Sequence, residues 1–122
     1  MVSAGMFFLG SSFLPEKNIS NELPEGAWLM KTGSTEQVLV FEDGYFTQTE
    51  YSKTLKEFHY SRGGRFTLDK NALTVNLEFH TAEKAAVGTS VVATVVLADD
   101  KLTIDWAGGS GKQTLTRIDS GD

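Results

Sequence analysis

From Gly26 to Ile118 the chain is a succession of short runs in which apolar and polar residues alternate, broken at near-regular intervals by Gly, Asn, Asp and Ser. A period of two places successive side chains on opposite faces of an extended strand, so the pattern predicts half-buried β-strands joined by tight turns. The cleanest alternation sets Leu73, Val75, Leu77 and Phe79 on one face and Thr74, Asn76, Glu78 and His80 on the other. Gly26–Thr32 opens the series with Trp28 and Met30 on a common face. Gln37–Phe41 and Tyr45–Tyr51 follow, divided by Asp43-Gly44, which signals a type I′ hairpin because that turn needs positive φ at both central residues. Leu55–Tyr60, Arg65–Asp69, Ala72–His80, Val87–Leu97, Lys101–Trp106 and Lys112–Ile118 complete the set. Turns are expected at Ser52–Thr54, Arg62–Gly64, Lys70-Asn71, Ala98–Asp100 and Gly108–Gly111, and Gly88 marks a bulge or bend.

These runs make nine candidate strands, with no helix longer than a single turn at Lys53–Phe58. The expected fold class is all-β: an antiparallel up-and-down meander that removes its exposed edges by closing into a barrel of roughly 8–10 strands. The first and last strands of such a barrel pair antiparallel only when the strand count is even. An odd count therefore means that Met6–Leu9 supplies a further strand, or that one candidate is not a strand. The expected division is an N-terminal segment and linker over 1–24, acting as an added strand or plug, and a barrel over 25–119. A short strand on a linker can be exchanged between two copies, so the expected state is a monomer or a strand-swapped homodimer. The apolar run Met6–Leu9 looks faintly like the end of an export signal without its basic region, a lean towards a periplasmic or secreted location.

Composition narrows the partners. The chain has 122 residues, enough for one domain that folds without a metal or disulfide staple. It has no cysteine, which removes thiolate chemistry and disulfide frameworks. A formal net charge of −5 disfavours nucleic acid and anionic membranes, both of which reward clustered Lys and Arg. No apolar run approaches the ~20 residues of a membrane-spanning helix.

Two echoes carry candidate chemistry: Glu57-Phe58-His59 and Glu78-Phe79-His80. On a strand each echo sets a carboxylate beside an imidazole, and such groups on neighbouring strands can hold a divalent metal. If Phe58 and Phe79 are the inward residues, however, Glu and His stand on the solvated face as weak surface pairs, and no metal or other cofactor is assigned. There is no nucleophile elbow for a Ser-His-Asp triad. Gly63-Gly64 and Gly108–Gly111 open no helix and read as turn glycines rather than phosphate cradles. The aromatic residues Trp28, Phe41, Tyr45, Phe46, Phe58, Tyr60, Phe66, Phe79 and Trp106 spread over most strands. In a small barrel such residues either fill the interior or line a pocket for one small ligand.

Gly26-Ala27-Trp28 and Arg117 resemble the calycins, the superfamily of lipocalins and fatty-acid-binding proteins, and within it the chain looks like a small bacterial lipocalin-like protein. Lipocalins carry Gly-x-Trp on the first barrel strand and an Arg near the end of the last strand that packs over the Trp. The resemblance implies a lipocalin-like barrel in which Gly26, Trp28 and Arg117 are structural closers. In the fatty-acid-binding branch the late Arg turns inward and clamps a carboxylate with a Tyr two residues on; here that position is Asp119.

The expected function is non-enzymatic binding of a small hydrophobic or amphipathic, lipid-like ligand inside the barrel, lined by Met30, Phe41, Phe46, Phe58, Tyr60, Phe66, Leu77, Phe79 and Trp106. One alternative is a solid-core barrel serving as a protein-interaction module. Another is an isomerase or lyase built in the barrel mouth from His59, Tyr60 or Arg62.

Overall fold

A computed structural model describes residues 24–109 and 111–118; the expected strand at Met6–Leu9 lies outside them. The strands are β1 (Gly26–Thr32), β2 (Thr35–Glu42), β3 (Tyr45–Ser52), β4 (Glu57–Asp69), β5 (Ala72–His80), β6 (Ser90–Ala98), β7 (Lys101–Trp106) and β8 (Lys112–Arg117). They form a closed antiparallel barrel in sequence order, β1 pairing with both β2 and β8. A single 3-10 turn, Lys84–Ala86, lies in the β5–β6 connection. No helix among the described residues is long and apolar enough to cross a membrane.

The odd strand count resolves within the barrel. Of the expected strands, Glu57–Tyr60 from Leu55–Tyr60 and the whole of Arg65–Asp69 belong to the one 13-residue strand β4, and Gly63-Gly64 is its middle rather than a turn. Both glycines are buried because neighbouring chain occupies the space of a side chain. A Cβ on Gly64 would overlap the Asn76 carbonyl oxygen, and one on Gly63 would overlap that of Phe46. Glycine in a strand interior often marks such a close backbone approach.

Two β-bulges break the period of two. Between β3 and β4, Glu50 faces Tyr60 while Tyr51 faces Phe58, leaving His59 as the extra residue. Between β4 and β5, Gly63 faces Phe79 while Gly64 faces Leu77, leaving Glu78 as the extra residue. Each bulge inverts the faces beyond it. Phe58 and Phe79, expected inside, therefore stand on the outer surface, 61% and 40% exposed. The Phe79 ring lies 3.0 Å from the position a Gly63 Cβ would take and covers that glycine from outside.

The barrel has two unlike ends. At one, the hairpins at Asp43-Gly44, Lys70-Asn71 and Asp99-Asp100 are two residues long. Asp43 and Gly44 have φ of 56° and 84°, and Asp99 and Asp100 have 53° and 59°, as expected for turns that follow the strand twist. Here the interior is filled by Trp28, Leu39, Phe41, Phe46, Phe66, Leu73, Val75, Leu102, Ile104 and Leu115, all buried. Phe66, Phe41 and Phe46 stack in sequence at centroid distances of 5.2 and 5.1 Å, tilted or edge-on as ring quadrupoles prefer.

Arg117 seals this end. Its guanidinium lies 4.3 Å over the Trp28 ring, and Nη1 donates to the Glu25 carbonyl at 2.9 Å. Trp28 Nε1–H donates to the Pro24 carbonyl at 3.0 Å. Gly26, with φ of 115°, leaves room for the guanidinium, since a Cβ there would lie 2.9 Å from Arg117 Nη1.

Candidate functional site

At the opposite end three of the four connections are longer, running through residues 53–56, 81–89 and 107–111. The interior below them is not filled. A cavity of about 370 Å³ opens there, lined by Gln37, Gln48, Glu50, Tyr60, Arg62, Val91, Trp106, Gln113 and the β7–β8 loop. Its floor is the top of the aromatic column, where Phe46 meets Trp106 edge-on at 5.7 Å.

The polar residues of this cavity continue inward apolar series towards the open end. Gln37 precedes Leu39 and Phe41 on β2; Gln48 follows Phe46 on β3; Arg62 precedes Gly64 and Phe66 on β4. They form a hydrogen-bonded chain. Arg62 Nε–H donates to Gln48 Oε1 at 2.7 Å, Gln48 Nε2–H to Gln37 Oε1 at 3.1 Å, and Gln37 Nε2–H to Glu50 Oε1 at 3.3 Å. The other Glu50 oxygen meets His59 Nδ1 at 2.9 Å. A cation at one end and a carboxylate at the other fix both amide orientations and polarise the bonds between them.

Arg62 also lies flat on an aromatic face, its guanidinium carbon 4.7 Å from the Trp106 ring centre. Burial pulls its pKa below the ordinary arginine value, with Tyr60 and then Glu83 acting in the opposite sense. It stays charged at neutral pH. Burial likewise raises the Tyr60 phenol, with Glu50 adding to the rise and Arg62 opposing it. Tyr60 stacks on His80 at 5.6 Å, and His80 Nδ1 accepts from the backbone N–H groups of Ala82 and Glu83, tying the β5–β6 loop to the rim.

Of the nine residues expected to line a ligand site, the cavity takes Tyr60 and Trp106. Phe41, Phe46, Phe66 and Leu77 are buried in the filled half, and Met30 packs against that core. Phe58 and Phe79 are outside. The two Glu-Phe-His echoes fare differently: His59 Nε2 sits 3.6 Å from Glu57, but Glu78 turns to Arg65 at 4.0 Å while His80 faces Tyr60. Among the described residues no three His, Asp or Glu gather as metal ligands. The residues that sequence reasoning left out are Gln37, Gln48, Glu50 and Gln113. Their signal is phase: polar side chains at positions that continue an inward apolar series towards one end.

Against protein-family models, curated proteins and solved structures, the chain gives no match.

Proposed function

We propose that this protein is a calycin-type barrel that holds one small amphipathic molecule in the open half of its interior without transforming it. The observation that carries the reading is the asymmetry of the barrel: one end sealed and packed, the other opening on a cavity of about 370 Å³. That volume lies at the small end of the range of ligand pockets. The wall combines the Trp106 ring and Val91 with amides and charges, so it suits a molecule with both apolar and polar parts better than a plain hydrocarbon chain. Gly26, the buried Trp28 and the Arg117 cap support the calycin assignment.

The test is native mass spectrometry of the freshly purified protein, together with titration of a naphthalene-sulfonate probe. A bound adduct, or saturable one-to-one probe binding that Val91→Phe abolishes by filling the cavity, is the expected result. A folded protein that binds no probe, or binds it equally after Val91→Phe, refutes the reading. That outcome favours action through the outer wall, where Leu55 and Phe58 stand 58% and 61% exposed beside the β3–β4 turn.

A further inference from the structure

The outer wall of the barrel carries an apolar patch on β1 and β2. Trp28 and Leu39 are buried in the interior, so their neighbours Ala27, Leu29, Val38 and Val40 point outward, each partly exposed. The register sets Ala27 opposite Val40 and Leu29 opposite Val38. Ile118, 39% exposed, extends the first of these rows past β1, where its N–H donates to the Ala27 carbonyl at 2.8 Å. Across β2 the rows end at Thr47 and Thr49, and on β8 the second row ends at Thr116. The five apolar side chains are therefore contiguous and edged by threonines.

Strands with one face in water alternate, whereas strands covered on both faces read as unbroken apolar runs. Leu73–Leu77 on β5 alternates, but Ala27-Trp28-Leu29-Met30 and Val38-Leu39-Val40-Phe41 do not. The composition of β1 and β2 is that of a wall with a layer over it. A groove of about 710 Å³ lies beside this wall; Ala27, Val40 and Ile118 line it, and so does Gly26, two residues after the described chain begins at Pro24.

The place where the chain enters the barrel points to what covers the patch. Residues 1–23 precede Pro24, and six of the nine residues from Met6 to Leu14 are large and apolar. Positions 15–23 can span up to ~30 Å, several times the reach needed to pass from Ala27 to Leu29 on the wall. A second copy fits less well. Stable interfaces bury ~800 Å² on each partner, and five side chains, four of them already partly covered, offer less. A tethered segment needs no such area, because a short linker holds it at an effective concentration on the order of millimolar.

We propose that the segment Met6–Leu14 docks on the outer wall formed by β1 and β2, its apolar side chains over Ala27, Leu29, Val38, Val40 and Ile118. It covers the wall from outside and neither plugs the cavity nor adds a strand to the ladder.

The chain has no cysteine, so Ser12→Cys carries a single nitroxide label in the full-length protein. The readout is the loss of methyl intensity at leucine, valine and isoleucine relative to the same sample with the label reduced. Leu29, Val38, Val40 and Ile118 are expected to lose most of their intensity. Val92 and Val96, exposed on β6 and four strands from β2 in either direction, should keep most of theirs. Val40→Lys should restore the wall signals while the barrel stays folded. Mixing nitroxide-labelled protein that carries no isotope with isotopically labelled protein that carries no nitroxide should leave every methyl unchanged.

Losses in the mixed sample overturn the proposal in favour of contact between copies. A strongest loss at Val91, which lines the cavity, places the segment there and overturns it as well. So does a wall pattern that survives Val40→Lys, or a spectrum with no selective loss. The attenuation pattern needs no substitution in the wall, so it decides the matter even if Val40→Lys fails to fold.

Discussion

Replacing Arg117 by Ala tests how the barrel is sealed. Three interactions are removed, and they are not equal. The guanidinium over Trp28, at 4.3 Å, is a partly desolvated cation–π contact worth ~1–2 kcal/mol. The Nη1 bond to the Glu25 carbonyl, at 2.9 Å, is charge-assisted but near the surface, and ~1 kcal/mol is a fair share for it. The pair with Asp100, at 3.5 Å, joins side chains 38% and 84% exposed and contributes close to nothing. The loss should therefore be about 2–3 kcal/mol, which for a domain of this size lowers Tm by roughly 8–15 °C. Thermal and urea melts of the parent, Arg117→Ala and Asp100→Asn measure it. Asp100→Asn should be indistinguishable from the parent, and affinity for a cavity probe should be nearly unchanged in both variants. An Arg117→Ala melt within about 2 °C of the parent would refute the reasoning. It would mean that the β1–β8 seam is held by its backbone pairing at Trp28–Arg117 and Leu29–Thr116 alone.

Other substitutions address the bulges and the cavity. Gly64→Ala drives a methyl group into the Asn76 carbonyl at the β4–β5 bulge and should destabilise the barrel by more than about 3 kcal/mol in urea unfolding. Phe46→Ala should cost about 3–5 kcal/mol, whereas Phe58→Ala should stay within about 0.5 kcal/mol of the parent; a large loss at Phe58 would place that ring inside. Tyr60 has a raised pKa in the folded state, so the folded protein holds the phenolic proton more tightly than the unfolded chain does. That contribution to stability is full below the ordinary tyrosine value of 10.0 and is lost as pH rises through the higher folded value. Alkaline melts should show the decline, and Tyr60→Phe should lessen it.

The architecture was legible in the chain where one signal had one physical reading. Asp43-Gly44 requires a left-handed turn, and it makes one. Leu73, Val75 and Leu77 alternate cleanly and point inward. Trp28 and Arg117 meet as the resemblance implied. The failures share a cause. Gly63-Gly64 carries the composition of a turn, yet glycine also serves where two backbones approach closely, and only the partner strand decides between the two. A bulge adds one residue without leaving a mark in the hydrophobic pattern, so Phe58 and Phe79 keep their apparent phase while their true face is inverted. The aromatic residues were weighed together because they are large and apolar, but depth along the barrel separates their roles. Phe41 and Phe66 fill the sealed half, and Trp106 ends the column as the face of the cavity.

Depth also explains why the site is polar. A barrel of eight strands is narrow enough for side chains to fill throughout, and apolar residues at positions 37, 48 and 62 would have continued the core to the rim. Buried amides and a guanidinium there give up solvation that hydrogen bonds to one another only partly restore, so packing alone gives no reason to prefer them. Nor does the chain Arg62–Gln48–Gln37–Glu50 close on itself: it consumes the amides and the carboxylate, and the half-buried Arg62 at its end has no carboxylate partner among the described residues. Glu50 is held by His59, the residue the first bulge displaces, so the irregularity in β4 and the guanidinium three positions further on belong to one hydrogen-bonded arrangement.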